Sequence, residues 1–153
     1  MSLELESVEV IESELAKHGV FASNTSGVSM QPLFKTHRDM VIIKKPDGEL
    51  RKYDVALYRD SRARYVLHRV IGVRDDEYII RGDNTFVKEH VPKNAVIGVL
   101  IAFNRNGKRH STDELLYKLY SRFWHFIYPL RHAKMATRRA LARLYRKIFK
   151  KQK

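Results

Sequence analysis

Three residues in separate stretches of the chain carry side chains that together could perform acyl transfer. Ser29 sits in Ser26-Gly27-Val28-Ser29-Met30-Gln31-Pro32, among loop- and turn-forming residues. His68 sits in Tyr65-Val66-Leu67-His68-Arg69-Val70-Ile71-Gly72-Val73, a run with β character, and Asp83 in Gly82-Asp83-Asn84-Thr85. A serine hydroxyl becomes a nucleophile when a neighbouring base takes its proton. Histidine, with an ordinary pKa near about 6.5, suits that task at neutral pH. A carboxylate behind the histidine would fix its tautomer and stabilise the imidazolium that forms. Each residue also has a plainer reading: a loop serine, a buried strand histidine, and an aspartate capping a turn. Asp54 reads as a turn residue in preference to a catalytic one. Distance along the chain does not decide between these readings, because folding assembles such triads.

The order of the segments is more informative than any one of them. Lys52-Tyr53-Asp54-Val55-Ala56-Leu57-Tyr58 lies between the serine and histidine segments, and Val96-Ile97-Gly98-Val99-Leu100 closes the series. The ordered set resembles the type I signal peptidases and their LexA-like peptidase relatives, over roughly residues 20–103. That resemblance implies a serine endopeptidase acting on leader- or signal-like peptides, with small residues favoured at the first and third positions before the cut. Ser29 would be the nucleophile. The residue before Arg69 would be the general base; bacterial and LexA-type members have Lys there, whereas His68 matches the archaeal and endoplasmic-reticulum branch. Asp83 would supply the acid. The eukaryotic branch has a further acid about six residues on, which is Glu89 here, and Asp83 is preferred over it. The Ser29 backbone N–H is the natural oxyanion donor. Many members place a second donor serine where this chain has Gly27, so that donor is missing, and Ser26 is the nearest substitute. Gly27, Ser26, Met30 and Pro32 thus form the expected oxyanion- and substrate-binding loop. No cofactor is implied. No metal site is expected either, since His37, His90, His110, His125 and His132 lack ligand spacing with carboxylates.

The elements that must position these residues are legible in outline. Residues 3–19 read as an acidic amphipathic helix with Leu5, Val8, Ile11 and Leu15 on one face. Five β-type runs follow: Met40–Lys45, Tyr53–Arg59, Arg64–Val73, Glu77–Arg81 and Ala95–Phe103. Pro46-Asp47-Gly48, Asp60-Ser61, Asp75-Asp76 and Gly82-Asp83-Asn84 punctuate them as turns. The expected class is mainly β (α+β): an antiparallel coiled sheet or partly open barrel, with an N-terminal helix and a C-terminal basic helical tail. Its parts are a helix over 1–20, a catalytic domain over 21–104 and a tail over 105–153. In the tail, Leu115, Leu116, Leu119, Phe123, Phe126, Ile127 and Leu130 recur at helical steps, and Pro129 should break or kink the helix. Met135, Leu141, Leu144, Tyr145, Ile148 and Phe149 form a second stripe.

Charge divides the chain. The formal net charge is +13, and all of it lies in residues 105–153, where 15 Lys/Arg face only Asp113 and Glu114. Such asymmetry points to an anionic partner. A membrane surface contacted through 123–153 fits best, with Trp124, Phe126, Tyr128, Leu141, Leu144 and Phe149 inserting. The alternative is a tail packed on its own domain. Nucleic acid is disfavoured, since no recognition signature is present. The absence of cysteine excludes disulfide scaffolds, thiol nucleophiles and thiolate metal sites. No export signal or spanning segment is read, so a cytoplasmic location, peripheral to the inner face of the membrane, is expected. Two rival functions remain at this level: a LexA-like self-cleaving regulator, and a catalytically silent peptide-binding module. The short acidic segment before Ser29 argues against the first.

Overall fold

The computed structural model describes residues 8–133 and 137. An 8-stranded antiparallel open sheet dominates it. Helix α1 (Val8–His18) leads into β1 (Val20–Asn24), followed by β2 (Met40–Lys44), β3 (Val55–Arg59), β4 (Tyr65–Val73), β5 (Glu77–Arg81) and β6 (Glu89–Pro92). A single 3₁₀ turn leads into β7 (Val96–Arg105), then β8 (Lys108–Ser111) and α2 (Leu115–Phe126). The strand order is β1-β2-β7-β3-β4-β5-β6, with β8 added to β7. One edge of β7 pairs with β2, and the other pairs first with β3 and then, past Val99, with β8. The chain therefore continues in the sheet to Ser111, and the expected boundary at 104/105 falls inside it.

Side chains alternate between the two faces of a strand, and this alternation divides the core. Val55, Leu57, Tyr65 and Leu67 pack on one face with Ile11 and Leu15 of α1, Met30, Phe34 and Tyr117 of α2. Ala56, Tyr58, Val66, Val70, Tyr78, Ile80 and Val91 pack on the other. At about 25 cal/mol per Å² of apolar surface, burying each large side chain contributes on the order of 2 kcal/mol. Gly98 marks a close approach: a Cβ there would lie 2.4 Å from Ile43 Cγ2.

Helix α2 stops at Ile127, and residues 128–133 are helical again. Pro129 occupies the first turn of that second segment, where its missing N–H is not needed. The expected tail stripe from Met135 to Phe149, including Leu141, Leu144, Tyr145 and Ile148, lies outside the described residues. Among the described residues, no helix is long and apolar enough to cross a membrane.

Candidate active site

Strand register assembles the site. Ala56 pairs with His68, Val70 with Ile80, and Ile80 with Glu89. Paired residues share a face and so do residues two apart, so His68, Val70, Ile80 and Glu89 all project to one side. Tyr58, two residues beyond Ala56, joins them. On that face His68 Nδ1 lies 2.8 Å from Glu89 Oε1, and Tyr58 Oη donates to Glu89 Oε2 at 2.7 Å. The Tyr58 oxygen is also 3.2 Å from His68 Nδ1. Ser29 Oγ lies 2.9 Å from His68 Nε2. An ionised carboxylate only accepts, so Glu89 calls for the proton on Nδ1. Nε2 is then left to accept from the Ser29 hydroxyl.

The loop carrying Ser29 is pinned from below. Asn84 N–H donates to the Ser29 carbonyl at 2.7 Å, and Asn84 Nδ2 donates to the Val28 carbonyl at 3.2 Å. Gly82 passes directly beneath: a Cβ there would meet Ser29 O at 2.7 Å and His68 Nε2 at 3.0 Å. Only a residue without a side chain lets the turn approach the pair this closely. Gly27 has φ 79°, a conformation that favours glycine, and its carbonyl accepts from Thr36 Oγ1. Ser26 is buried, and Pro32 is exposed after a cis peptide bond. Met30 departs from its expected place among the substrate-binding residues. It is fully buried in the core, where its sulfur accepts the Asp83 N–H at 3.5 Å.

Asp83, the expected partner of His68, does not reach it; the carboxylate that does is Glu89, the expected alternative. Arg69 follows His68 and therefore projects to the opposite face. Its guanidinium takes both Asp83 oxygens, at 2.7 Å each, in a pair whose side chains are 2% and 3% exposed. Arg69 also donates to the Tyr53 carbonyl and to Ser121 Oγ of α2. Tyr120 Oη donates to Asp83 Oδ2, while Trp124 Nε1 and Arg131 donate to the Asp83 carbonyl. Asp83 thus anchors α2 to the turn that braces Ser29. Trp124, expected at a membrane, faces this network. Tyr128 likewise turns inward, with the Arg81 guanidinium over its ring and its hydroxyl on the Phe86 carbonyl.

Electrostatics suits the geometry. Burial pushes the His68 imidazole below its ordinary value, and the Glu89 hydrogen bond opposes this without reversing it. Burial alone would raise the Glu89 carboxyl, but hydrogen bonds from His68 and Tyr58 hold it below the ordinary range. His68 is therefore neutral, and Glu89 ionised, at neutral pH. Among the described residues, no cluster of three or more metal-ligating side chains is present.

Tyr58, Arg69, Gly82 and Asn84 were not singled out by sequence reasoning. The adjacency of His68 and Arg69 was a usable signal: neighbours on a strand face opposite ways and need separate partners. A scan of the chain against protein-family models finds no match, and a search of curated proteins finds no similar sequence.

Proposed function

We propose that the chain is a serine endopeptidase of signal-peptidase type. One observation carries the reading: the continuous hydrogen-bond chain from Ser29 Oγ through His68 to Glu89. Ser29 attacks the scissile carbonyl as His68 Nε2 takes its proton, and Glu89 stabilises the imidazolium. His68 then protonates the departing amine, leaving an acyl group on Ser29. Water, activated by His68, releases it. The oxyanion of each tetrahedral intermediate is met by the Ser29 backbone N–H.

An extended substrate segment would add beside β4 near His68, since β5 pairs with β4 only from Arg69 onward. The substrate class is a leader- or signal-like peptide with small residues at the first and third positions before the cut. The site residues in this reading are Ser29, His68 and Glu89, with Tyr58 as a positioning residue.

The test incubates the purified chain with a defined peptide library and reads cleavage by mass spectrometry, beside Ser29→Ala. A serine-directed phosphonate is applied in parallel and its adduct located by peptide mapping. Cuts lost in Ser29→Ala, and an adduct on Ser29, are expected. Cuts that persist in Ser29→Ala, or neither cuts nor adduct, overturn the proposal.

A further inference from the structure

Helix α2 has two unlike faces, and among the described residues only one is engaged with the domain. Tyr117 and Ser121 are buried against Arg69, and Tyr120 and Trp124 reach Asp83. These contacts fix the rotation of the helix. The opposite face presents Leu115, Leu116, Leu119, Phe123 and Phe126, each more than half exposed, and Leu130 continues it in the next helical segment at 72% exposure. At about 100° per residue the five α2 side chains fall within an arc of roughly 100°. Large apolar side chains scattered singly on a surface need no explanation, but a contiguous stripe marks an interaction site.

The charge of this part of the chain selects the occupant. From Leu115 to the end of the sequence there are 12 Lys/Arg and no Asp or Glu, after Asp113 and Glu114; Lys118, Arg122 and Arg131 are the ones among the described residues. Lys118 and Arg122 lie beside the stripe; with Arg51 and Lys52, and with Asp54 and Asp113, they line a cavity of about 240 Å³ on its flank, where Lys118 pairs with Asp113 and leaves the cations in excess. A nucleic-acid backbone would satisfy the cations and leave the leucines and phenylalanines in water. A bilayer with anionic headgroups satisfies both, with acyl chains for the stripe and phosphates for its border.

We propose that the outward face of α2, with Leu119 and Phe123 at its centre, is a docking surface for an anionic lipid bilayer. The surface includes Phe126 but neither Trp124 nor Tyr128. It stands independently of whether Ser29 is a nucleophile. Because Asp83 ties the inner face of the same helix to the turn beneath Ser29, docking would hold the Ser29–His68 pair close to the lipid surface.

The test uses the full chain and vesicles of phosphatidylcholine, with and without phosphatidylglycerol, in a flotation assay at two salt concentrations. Binding to the anionic vesicles is expected. Leu119→Glu with Phe123→Glu should weaken it by at least about tenfold, since two apolar anchors become like charges facing the headgroups. The double variant should melt at the wild-type temperature. Four outcomes overturn the proposal. The first is no vesicle binding by the wild-type chain. The second is binding that salt abolishes but the glutamates leave intact, which is attraction by cations alone. The third is a lower melting temperature in the variant without lipid, which means the chain covers this face itself. The fourth is a wild-type dimer dissolved by the same substitutions, without lipid binding.

Discussion

Removing the Glu89 carboxylate distinguishes the two acids near the site. In Glu89→Ala, His68 Nδ1 loses an acceptor at 2.8 Å, and in the proposed acyl transfer the imidazolium loses its counter-charge. A hydrogen bond to a charged group contributes about 1.5–3 kcal/mol. At about 1.4 kcal/mol per tenfold in rate, that is a loss of roughly ten- to a hundredfold in kcat/KM. Loss of the acid can cost about 10⁴-fold in serine proteases where the tautomer is inverted. The smaller figure is expected here because the Tyr58 oxygen, 3.2 Å from Nδ1, can accept the proton donated by His68 once Glu89 no longer occupies its hydroxyl hydrogen. Adding Tyr58→Phe should therefore deepen the loss. The assay is kcat/KM on a cleaved peptide, followed across pH. In the proposed mechanism neutral His68 is the active form, so activity should rise with pH through its pKa, which burial holds below the ordinary histidine value. Glu89 pulls that pKa upward, so Glu89→Ala should move the acid limb to still lower pH while lowering the plateau. Wild-type kcat/KM and an unmoved acid limb in Glu89→Ala would refute the assignment.

Asp83→Asn should act through stability instead. It leaves the buried Arg69 guanidinium facing a neutral amide, and breaking such a pair costs about 3–5 kcal/mol, or on the order of 10 °C in melting temperature. Thermal unfolding followed by circular dichroism checks this, with Glu89→Ala expected within a few degrees of wild type; a reversed ranking would undo the division of roles. Gly82→Ala should lower kcat/KM by roughly 10²-fold, because the added methyl must displace the Ser29 carbonyl or the His68 ring. Full activity in that variant would mean the turn is not what sets the Ser29–His68 distance. For stability against pH, the unfolded chain binds the His68 proton more tightly than the folded one does, so this contribution is present above the unfolded pKa and is lost as pH falls from there through the lower folded pKa. Comparing unfolding free energies of the wild type and His68→Gln from about pH 7 to 5 measures that contribution; parallel curves would exclude it.

The strands legible in the sequence are the runs dense in apolar and β-branched residues and bounded by turn signals. β3 and β4 read as Val-Ala-Leu-Tyr-Arg and a nine-residue run, and both faces are buried, so every position is apolar or specifically partnered. β1, β6 and β8 were not legible. Glu-His-Val-Pro and Lys-Arg-His-Ser are four residues each, too short to show a period, and they are strands because a neighbour's ladder accepts them. β1 mixes Val and Phe with Ser and Asn and pairs only with β2. Helix α2 was legible as a helix. Which of its faces turns inward was not, because that choice is made by Arg69 and Asp83, which lie 52 and 37 residues before the α2 side chains they hold.

The alternation of side chains along a strand explains why the order of the two carboxylates in the sequence did not reveal which of them reaches His68. Two carboxylates stood within reach of the site, and sequence order favoured Asp83. The structure separates them by parity: His68 and Arg69 are consecutive on β4, so each requires an acid on its own face. Arg69 is almost wholly buried among Tyr117, Ser121 and Asp83, and leaving it unpaired would cost more than leaving a neutral histidine without a carboxylate. Asp83 is therefore committed to Arg69 on energetic grounds, and Glu89, brought to His68 by the β5–β6 register, is the acid that remains. The Gly82-Asp83-Asn84 turn still serves the site, through its backbone: Gly82 lets the chain pass under His68, Asn84 holds the Ser29 carbonyl, and Asp83 fastens the turn to α2. A substitution in this turn should thus disturb Ser29 by displacing it, whereas one at Glu89 should disturb the proton on His68 with Ser29 left in place.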